Sequence, residues 1–260
     1  MIESLKELIQ RKDLVWYIFL RDLKAGYKGA IFSFLWVIFL PLFTLFVFII
    51  IFSRFPRFGV EGIPYPVFAI SGIVPWFFII SSLNSASESL KINSFLIKSV
   101  YFPREVLPIC SVLSKFHYLL VGWVISIFLL IFHKIKIGLN LFYLPFCGLL
   151  LFLFAIGAGL LLSLGNFFFR DVGFAFNILS TVWLFLTPVF YPVSLWGKKF
   201  KFLLYLNPAS SLCVLHRSIL INSKLPSFDV TFTAILWALF TFILGLSIFH
   251  KLEHLLPKNA

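Results

Sequence analysis

Residues 29–53 read GAIFSFLWVIFLPLFTLFVFIIIFS, 25 positions from Gly29 to Ser53 without one ionisable side chain. The hydrocarbon core of a bilayer is about 30 Å thick and takes roughly 20 helical residues to cross. A helix can do so because every backbone N–H and C=O is paired within the segment itself. Four further stretches of comparable length follow, together with one that carries scattered polar residues, so apolar runs organise the whole chain. The composition agrees: 61% of the 260 residues are hydrophobic and only 12% are charged, against about 25% charged in a soluble domain. The expected fold is an all-α membrane protein of six transmembrane helices, forming one transmembrane domain over residues 1–260.

Working outward from that first span, residues 1–28 read as an amphipathic helix at the membrane interface. Ile2, Leu5, Ile9, Trp16, Leu20 and Leu23 fall near helical spacing, with Glu3, Lys6, Glu7, Arg11, Lys12 and Asp13 on other faces. An ordinary solvated helix before the span is the simpler alternative. The acids and bases spread through this segment do not resemble a cleaved signal, so the first span is expected to stay. Spans one to five and their links occupy 29–197. The second starts near Val67 and turns polar after Leu83, where Ser81, Ser85 and Glu88 share a face. That pattern suits either a water-accessible route or emergence into the cytosol. A link over Lys98–Lys115, broken by Pro103 and Pro108, precedes a third span ending near Phe132. The fourth, about 141–166, has Gly157, Ala158 and Gly159 at its centre, small residues that permit close helix approach. Arg170 and Asp171 mark a tight turn before the fifth span, 172–192. Residues 198–229 are too charged to span and too apolar for a free loop, and read as two short re-entrant helices interrupted at Asn207 and Pro208. A sixth span at 230–249 and a tail complete the segment 230–260.

With the N-terminus inside, 13 of the 22 Lys and Arg residues fall on the cytoplasmic side, so both termini are expected there. These bases sit at helix ends rather than in one patch, which points to membrane flanks and away from nucleic acid. Cys110, Cys147 and Cys213 lack metal-ligand spacing with each other or with the histidines and read as packing residues. No metal and no cofactor is expected in this chain.

The absent chemistry narrows the function. Gly197 followed by Lys198 lacks the upstream glycine and the Ser or Thr of a nucleotide-binding loop. Glu88, Glu105, Lys115 and Asp171 lie near the inner interface rather than mid-membrane, which disfavours an ion-driven pump. Arg170 beside Asp171 is more simply a turn-stabilising ion pair than a catalytic one. What remains is a conduit powered by a partner, and the link between the second and third spans, with Lys98, Arg104 and Glu105, offers that partner a handle.

Residues along nearly the whole chain then form an ordered series: Arg21, Asp22, Leu23, Lys24 with Tyr27 and Lys28; Leu35, Trp36, Pro41; Ser71 to Trp76; Asn93, Leu96, Ile97, Lys98; Phe102 to Glu105 with Leu107 and Pro108; Phe168 to Asp171; Thr187, Pro188, Tyr191, Pro192; and Asn207, Pro208. This series resembles the type-2 ABC exporter permeases of polysaccharide and polyol-phosphate export, departing from it at Gly26, Ala30 and Ser33. The resemblance implies a homodimer in the cytoplasmic (inner) membrane, each copy docked on an ATP-binding cassette subunit that holds ATP and Mg. It also implies a lipid-linked glycan substrate such as O-antigen, capsule or teichoic acid. In such proteins the interface helix corresponds to residues 1–28, the ATPase-coupling segment to 93–105, here Asn93, Lys98, Arg104 and Glu105, and outer gate helices to 198–229. Lys24, Tyr27 and Lys28 are expected to meet the anionic lipid carrier, since each basic group near such a surface contributes about 1 kcal/mol. Aromatic rings let sugars slide without strong directional bonds, and conduction needs weak, repeated sites. Trp36, Trp76, Trp183, Phe185, Phe190 and Tyr191 are the candidates for such a path, although lipid-facing filler would use the same residue types. A small-molecule or lipid exporter of the same fold, and an assembly subunit without transport of its own, are the alternatives.

Overall fold

A computed structural model describes residues 12–25, 33–52, 62–99, 102–196, 200, 202–221 and 226–256. Every regular element among them is helical: α1 (Lys12–Ala25), α2 (Ser33–Phe52), α3 (Tyr65–Ile92), α4 (Ser94–Ser99), α5 (Val106–Leu113), α6 (Phe116–Phe132), α7 (Leu144–Phe168), α8 (Arg170–Leu186), α9 (Leu203–Leu206), α10 (Pro208–Ile221) and α11 (Phe228–Leu252), with short 3-10 turns between. Among the described residues, four stretches are long and apolar enough to cross a membrane: Tyr65–Ile92, Val106–Phe132, Leu139–Phe168 and Phe228–Leu255. The chain is therefore a multi-pass membrane protein. The Tyr65–Ile92 helix lies at its centre, with 78% of its apolar stretch buried against 22% for Val106–Phe132.

Small residues set the packing around α3. A Cβ at Gly122 of α6 would fall 2.5 Å from the Val74 side chain, and one at Gly159 would fall 2.9 Å from the Ala86 Cβ. On the other side of α7, Gly157 lies against the Thr241 and Phe242 backbone of α11, and Gly245 of α11 lies against Gly157. The small-residue expectation for the fourth span is met on two faces at once. With no hydrophobic drive between helices inside lipid, such backbone approach supplies the dispersion contact that holds them.

Two boundaries differ from the sequence reading, each for a local reason. Helix begins again at Val106 rather than after Lys115, and Val106, Leu107, Cys110 and Val112 are buried. Pro108 is harmless there because first-turn amides have no partner within a helix. The fifth helix stops at Leu186, not near 192, because Pro188 disfavours helix at Thr187, which is extended (φ −106°, ψ 132°). In α1 the side chain driven into the core is Ile18, 1% exposed, whereas Trp16 and Tyr17 are 61% and 68% exposed. The tight turn before α8 is one extended residue, Phe169. The break at Asn207 and Pro208 is present: Pro208 opens α10, and Asn207 Oδ1 accepts from the Ala209 amide at 3.1 Å as an N-cap.

The helices define two ends of the bundle. The α1 end gathers α1, the last turns of α3, α7 and α11, and the start of α5, around Ile18, Leu90, Val106, Leu164 and Phe249. The α10 end gathers α9, α10, the start of α3 and the turn after α8.

Gly157→Val would push a branched side chain into the Thr241 carbonyl. The expected result is a loss of about 3 kcal/mol, at the upper end for overpacking, seen as a lower thermal midpoint of the purified protein in detergent. Ala158→Val, on the less enclosed neighbouring position, is expected to have the smaller effect.

Candidate functional site

At the α1 end, Asn93 is buried between α3 and α4, and its Nδ2 donates to the Ser89 carbonyl at 2.7 Å. It thereby ends α3 and turns the chain into α4. There Ile92 and Phe95 stand 76% and 81% exposed, beside the exposed Lys98. Arg104 and Glu105 are directed inward. Arg104 Nη1 donates to the Glu253 carbonyl at 3.2 Å, and Glu105, 2% exposed, lies with Oε2 3.2 Å from His250 Nδ1. His250 Nδ1 is also 3.8 Å from Glu253 Oε1. Arg104 and Glu105 thus brace the link against the last helix, while Ile92, Phe95 and Lys98 form its free face. The sequence reading chose the charged residues and missed the two apolar ones, whose signal was a pair of large side chains flanking a helix break. Glu105, His250 and Glu253 also bring one nitrogen and two carboxylates within 4.8 Å of one another, a donor set a divalent cation could use.

Beside this link, a cleft of about 430 Å³ runs between α1, α3 and α5, lined by Arg21, Asp22, Ser85, Ser89, Asn93, Ser111 and Lys115 among others. The polar face of the second span therefore borders a groove inside the bundle. Arg21 Nη2 pairs with Asp22 Oδ1 at 2.8 Å, and Ser111 donates to Asp22 Oδ2 at 3.1 Å. Lys24 lies in the last turn of α1. Tyr27 and Lys28 lie outside the described residues, as does the Trp36 side chain.

At the α10 end, Trp76 and Trp183 meet edge to face, 5.5 Å between ring centroids. Trp183 Nε1 donates to Asn207 Oδ1 at 2.9 Å, and Asn207 Nδ2 reaches Thr187 Oγ1 at 3.1 Å and the Leu186 carbonyl at 3.2 Å. One amide side chain thereby joins the end of α8 to α10. Phe190 is buried and stacks on Phe48 with centroids 3.4 Å apart, and Tyr191 donates to the Phe185 carbonyl. Of the proposed path residues, Trp76 and Phe190 are core side chains within one chain, Trp183 and Tyr191 are half-buried, and Phe185 is exposed.

Two residues that the sequence reading passed over anchor this end. Pro75 has no amide proton, so the Ser71 carbonyl lacks its partner within α3. His216 Nδ1 lies 2.7 Å from that oxygen, and Trp123 Nε1 donates to His216 Nε2 at 3.1 Å. Since the indole can only donate, His216 Nε2 is unprotonated, and the neutral ring gives its Nδ1–H to Ser71. Next to it, Arg217 donates from Nε to Ser71 Oγ (3.0 Å), from Nη1 to the Pro188 carbonyl (2.8 Å) and from Nη2 to the Val189 carbonyl (2.6 Å). Its Cζ sits 3.9 Å from the centre of the Phe68 ring, within cation–π range. A His–Arg pair inside the apolar run Leu212–Ile221 was the available signal, because ionisable groups there need internal partners.

Arg217→Lys keeps the charge but cannot reproduce the planar fork. With the Pro188 and Val189 carbonyls left buried at about 1–3 kcal/mol each, the thermal midpoint should fall clearly in detergent. An unchanged midpoint would show that this clamp does not hold the fold.

Residues 13–221 match the family described as ABC-2 type transporter. Among individual proteins, the chain is 28% identical over 245 residues to "O-antigen export system permease protein RfbA" of Klebsiella pneumoniae, covering 93% of each chain. A protein of the same description from Myxococcus xanthus is 29% identical over 233 residues, 87% of each. "Capsule polysaccharide export inner-membrane protein CtrC" of Neisseria meningitidis is 23% identical over 192 residues, 72% of this chain and 71% of that protein. A match over residues 13–221, most of a chain whose described helices are long and apolar enough to cross a membrane, places it in a family: the chain belongs to the ABC-2 type transporters.

Proposed function

We propose that this chain is the channel-forming permease of an exporter that carries a lipid-linked polysaccharide across the cytoplasmic membrane, working as a homodimer driven by a separate ATP-binding subunit. The observation that carries this reading is similarity across 93% of both chains to a permease named for O-antigen export, with a capsule export protein among the relatives. In this reading the chain crosses the membrane six times with both termini in the cytoplasm, and α2 and α8 are the first and fifth spans. Those two helices carry the broad apolar faces of Phe39, Phe43, Phe46 and Ile50, and of Phe174, Ile178, Val182 and Phe185, which a second copy and lipid would cover. Exposed Asn177 and Thr181 add polar positions along α8, as a wall facing a sugar chain requires. The short helices α9 and α10 act as the outer gate, with Trp183, Phe185 and Tyr191 beside it.

The ATP-binding subunit docks on the link at the α1 end. Phe95 inserts into an apolar cleft of the partner, Lys98 meets its surface, and Asn93, Arg104 and Glu105 keep the link rigid by holding it to α3 and α11. The anionic end of the lipid carrier enters beside α1 at the cleft lined by Arg21 and Lys115, and Lys24, Tyr27 and Lys28 take part in meeting it. Charge of this kind guides a phosphate-bearing lipid at the surface.

Depleting the protein from its native cell should cause lipid-linked glycan to accumulate on the cytoplasmic face while surface glycan falls. Normal surface glycan with no inner build-up would remove the polysaccharide substrate and leave a small-molecule or lipid exporter of the same fold. For the docking assignment, Phe95→Asp places a charge where an apolar contact is needed. Co-purification of the ATP-binding subunit should fall at least tenfold, with the permease itself still folded, because that side chain is 81% exposed. Retention of the subunit at its normal level would exclude Phe95 as the contact.

A further inference from the structure

Asn166, on α7 and 0% exposed, is the meeting point of three helices. Its Oδ1 accepts from Lys91 Nζ of α3 at 2.6 Å and from the Gly173 amide of α8 at 3.1 Å. Its Nδ2 donates to the Ser87 carbonyl at 3.0 Å and to Glu88 Oε1 at 2.9 Å, both on α3. An asparagine amide has two donors and two acceptor positions, and all four are used. Gly173 makes the approach possible, since a Cβ there would fall 2.6 Å from Asn166 Oδ1. The α3 residues in this knot lie two to six residues before Asn93, where the chain turns into the exposed segment carrying Phe95.

We propose that Asn166 is a positioning residue that transmits movement of the docking segment to α8, and this rests on the exporter reading above. The link from the docking segment to the start of α8 is direct: α3 leads from it, and Lys91 and Gly173 share one oxygen atom. A buried, saturated set of hydrogen bonds does not stretch gradually. Sliding α3 relative to α7 breaks one partner before another can form, so the knot passes displacement on as a step, as a packed two-state element does. The helix that receives the step begins four residues after Asn166 and carries Asn177, Thr181 and Phe185 on its free surface.

The test uses the permease assembled with its ATP-binding subunit in lipid nanodiscs, with nitroxide probes at Ser99→Cys and Leu179→Cys. The native cysteines are buried. Wild type should show a change in the Ser99–Leu179 distance on adding a non-hydrolysable ATP analogue. Asn166→Ala removes all four bonds, so the change should disappear and export per ATP hydrolysed should fall at least tenfold while ATP turnover persists. Asn166→Asp, made together with Glu88→Gln so that two carboxylates do not face each other, keeps both acceptor contacts, to Lys91 and Gly173, and should retain most of the distance change. Lys91→Met cuts only the α3 side of the shared oxygen from a partly exposed position, and should reproduce the alanine defect at an unchanged thermal midpoint. It decides the matter if the alanine variant does not assemble. A full distance change in Lys91→Met, an Asp variant as defective as Ala, or no nucleotide-dependent change in wild type would each overturn the proposal. The distance readout contains no glycan, so it stands or falls separately from the identity of the substrate.

Discussion

Inside hydrocarbon a backbone carbonyl without a donor is costly, and Pro75 creates one at Ser71 in the middle of the fold. The bundle resolves that cost with His216, whose tautomer is fixed by Trp123, and in doing so it commits α10 to lie against α3 and α6. Once α10 is there, Arg217 falls within reach of Ser71 Oγ and of two carbonyls in the turn after α8. A full positive charge is tolerated because three directional acceptors and the Phe68 ring replace its water. One missing N–H therefore accounts for the attachment of the outer helices and of the turn at Pro188 and Val189.

The other end is organised by amide side chains rather than by a charge clamp. Asn93 and Asn166 both sit where helices stop, and both spend their donors on carbonyls of α3. Between the two ends lies close glycine packing, Gly157 on α11 and Gly159 on α3. Polar junctions at each end with a tightly packed, nearly inert middle form a lever: movement at one end cannot be absorbed by the core, because interiors at crystal-like density are stiff.

Much of this was legible in the sequence, and the reasons are physical. Runs such as 29–53 and 144–168 report the cost of unpaired backbone in lipid directly, because no soluble fold needs that many consecutive apolar residues. The helix break at Asn207 and Pro208 and the small residues at 157–159 were readable for the same reason: local chemistry alone determines them. The third span, Phe116–Phe132, falls where the sequence placed it, but the burial of the link before it was not legible, because Pro103, Arg104, Glu105 and Pro108 look solvated. Their polarity is in fact consumed by contacts with residues near 250, far away in the chain.

The sequence alone determined that the chain is a bundle of membrane-crossing helices, where most of them begin and end, and that it carries no nucleotide-binding loop of the common glycine-rich kind. These follow from hydropathy, helix length and turn chemistry, which act over a few neighbouring residues. Tertiary structure decided which polar residues matter. The sequence could mark His216 and Arg217 as out of place in an apolar run, but not name their partners or single out Asn166, because a hydrogen bond is defined by where two groups meet and not by where either stands in the chain. It also decided that Phe95, rather than Glu105, occupies the free face of the link, since exposure depends on what the last helix covers.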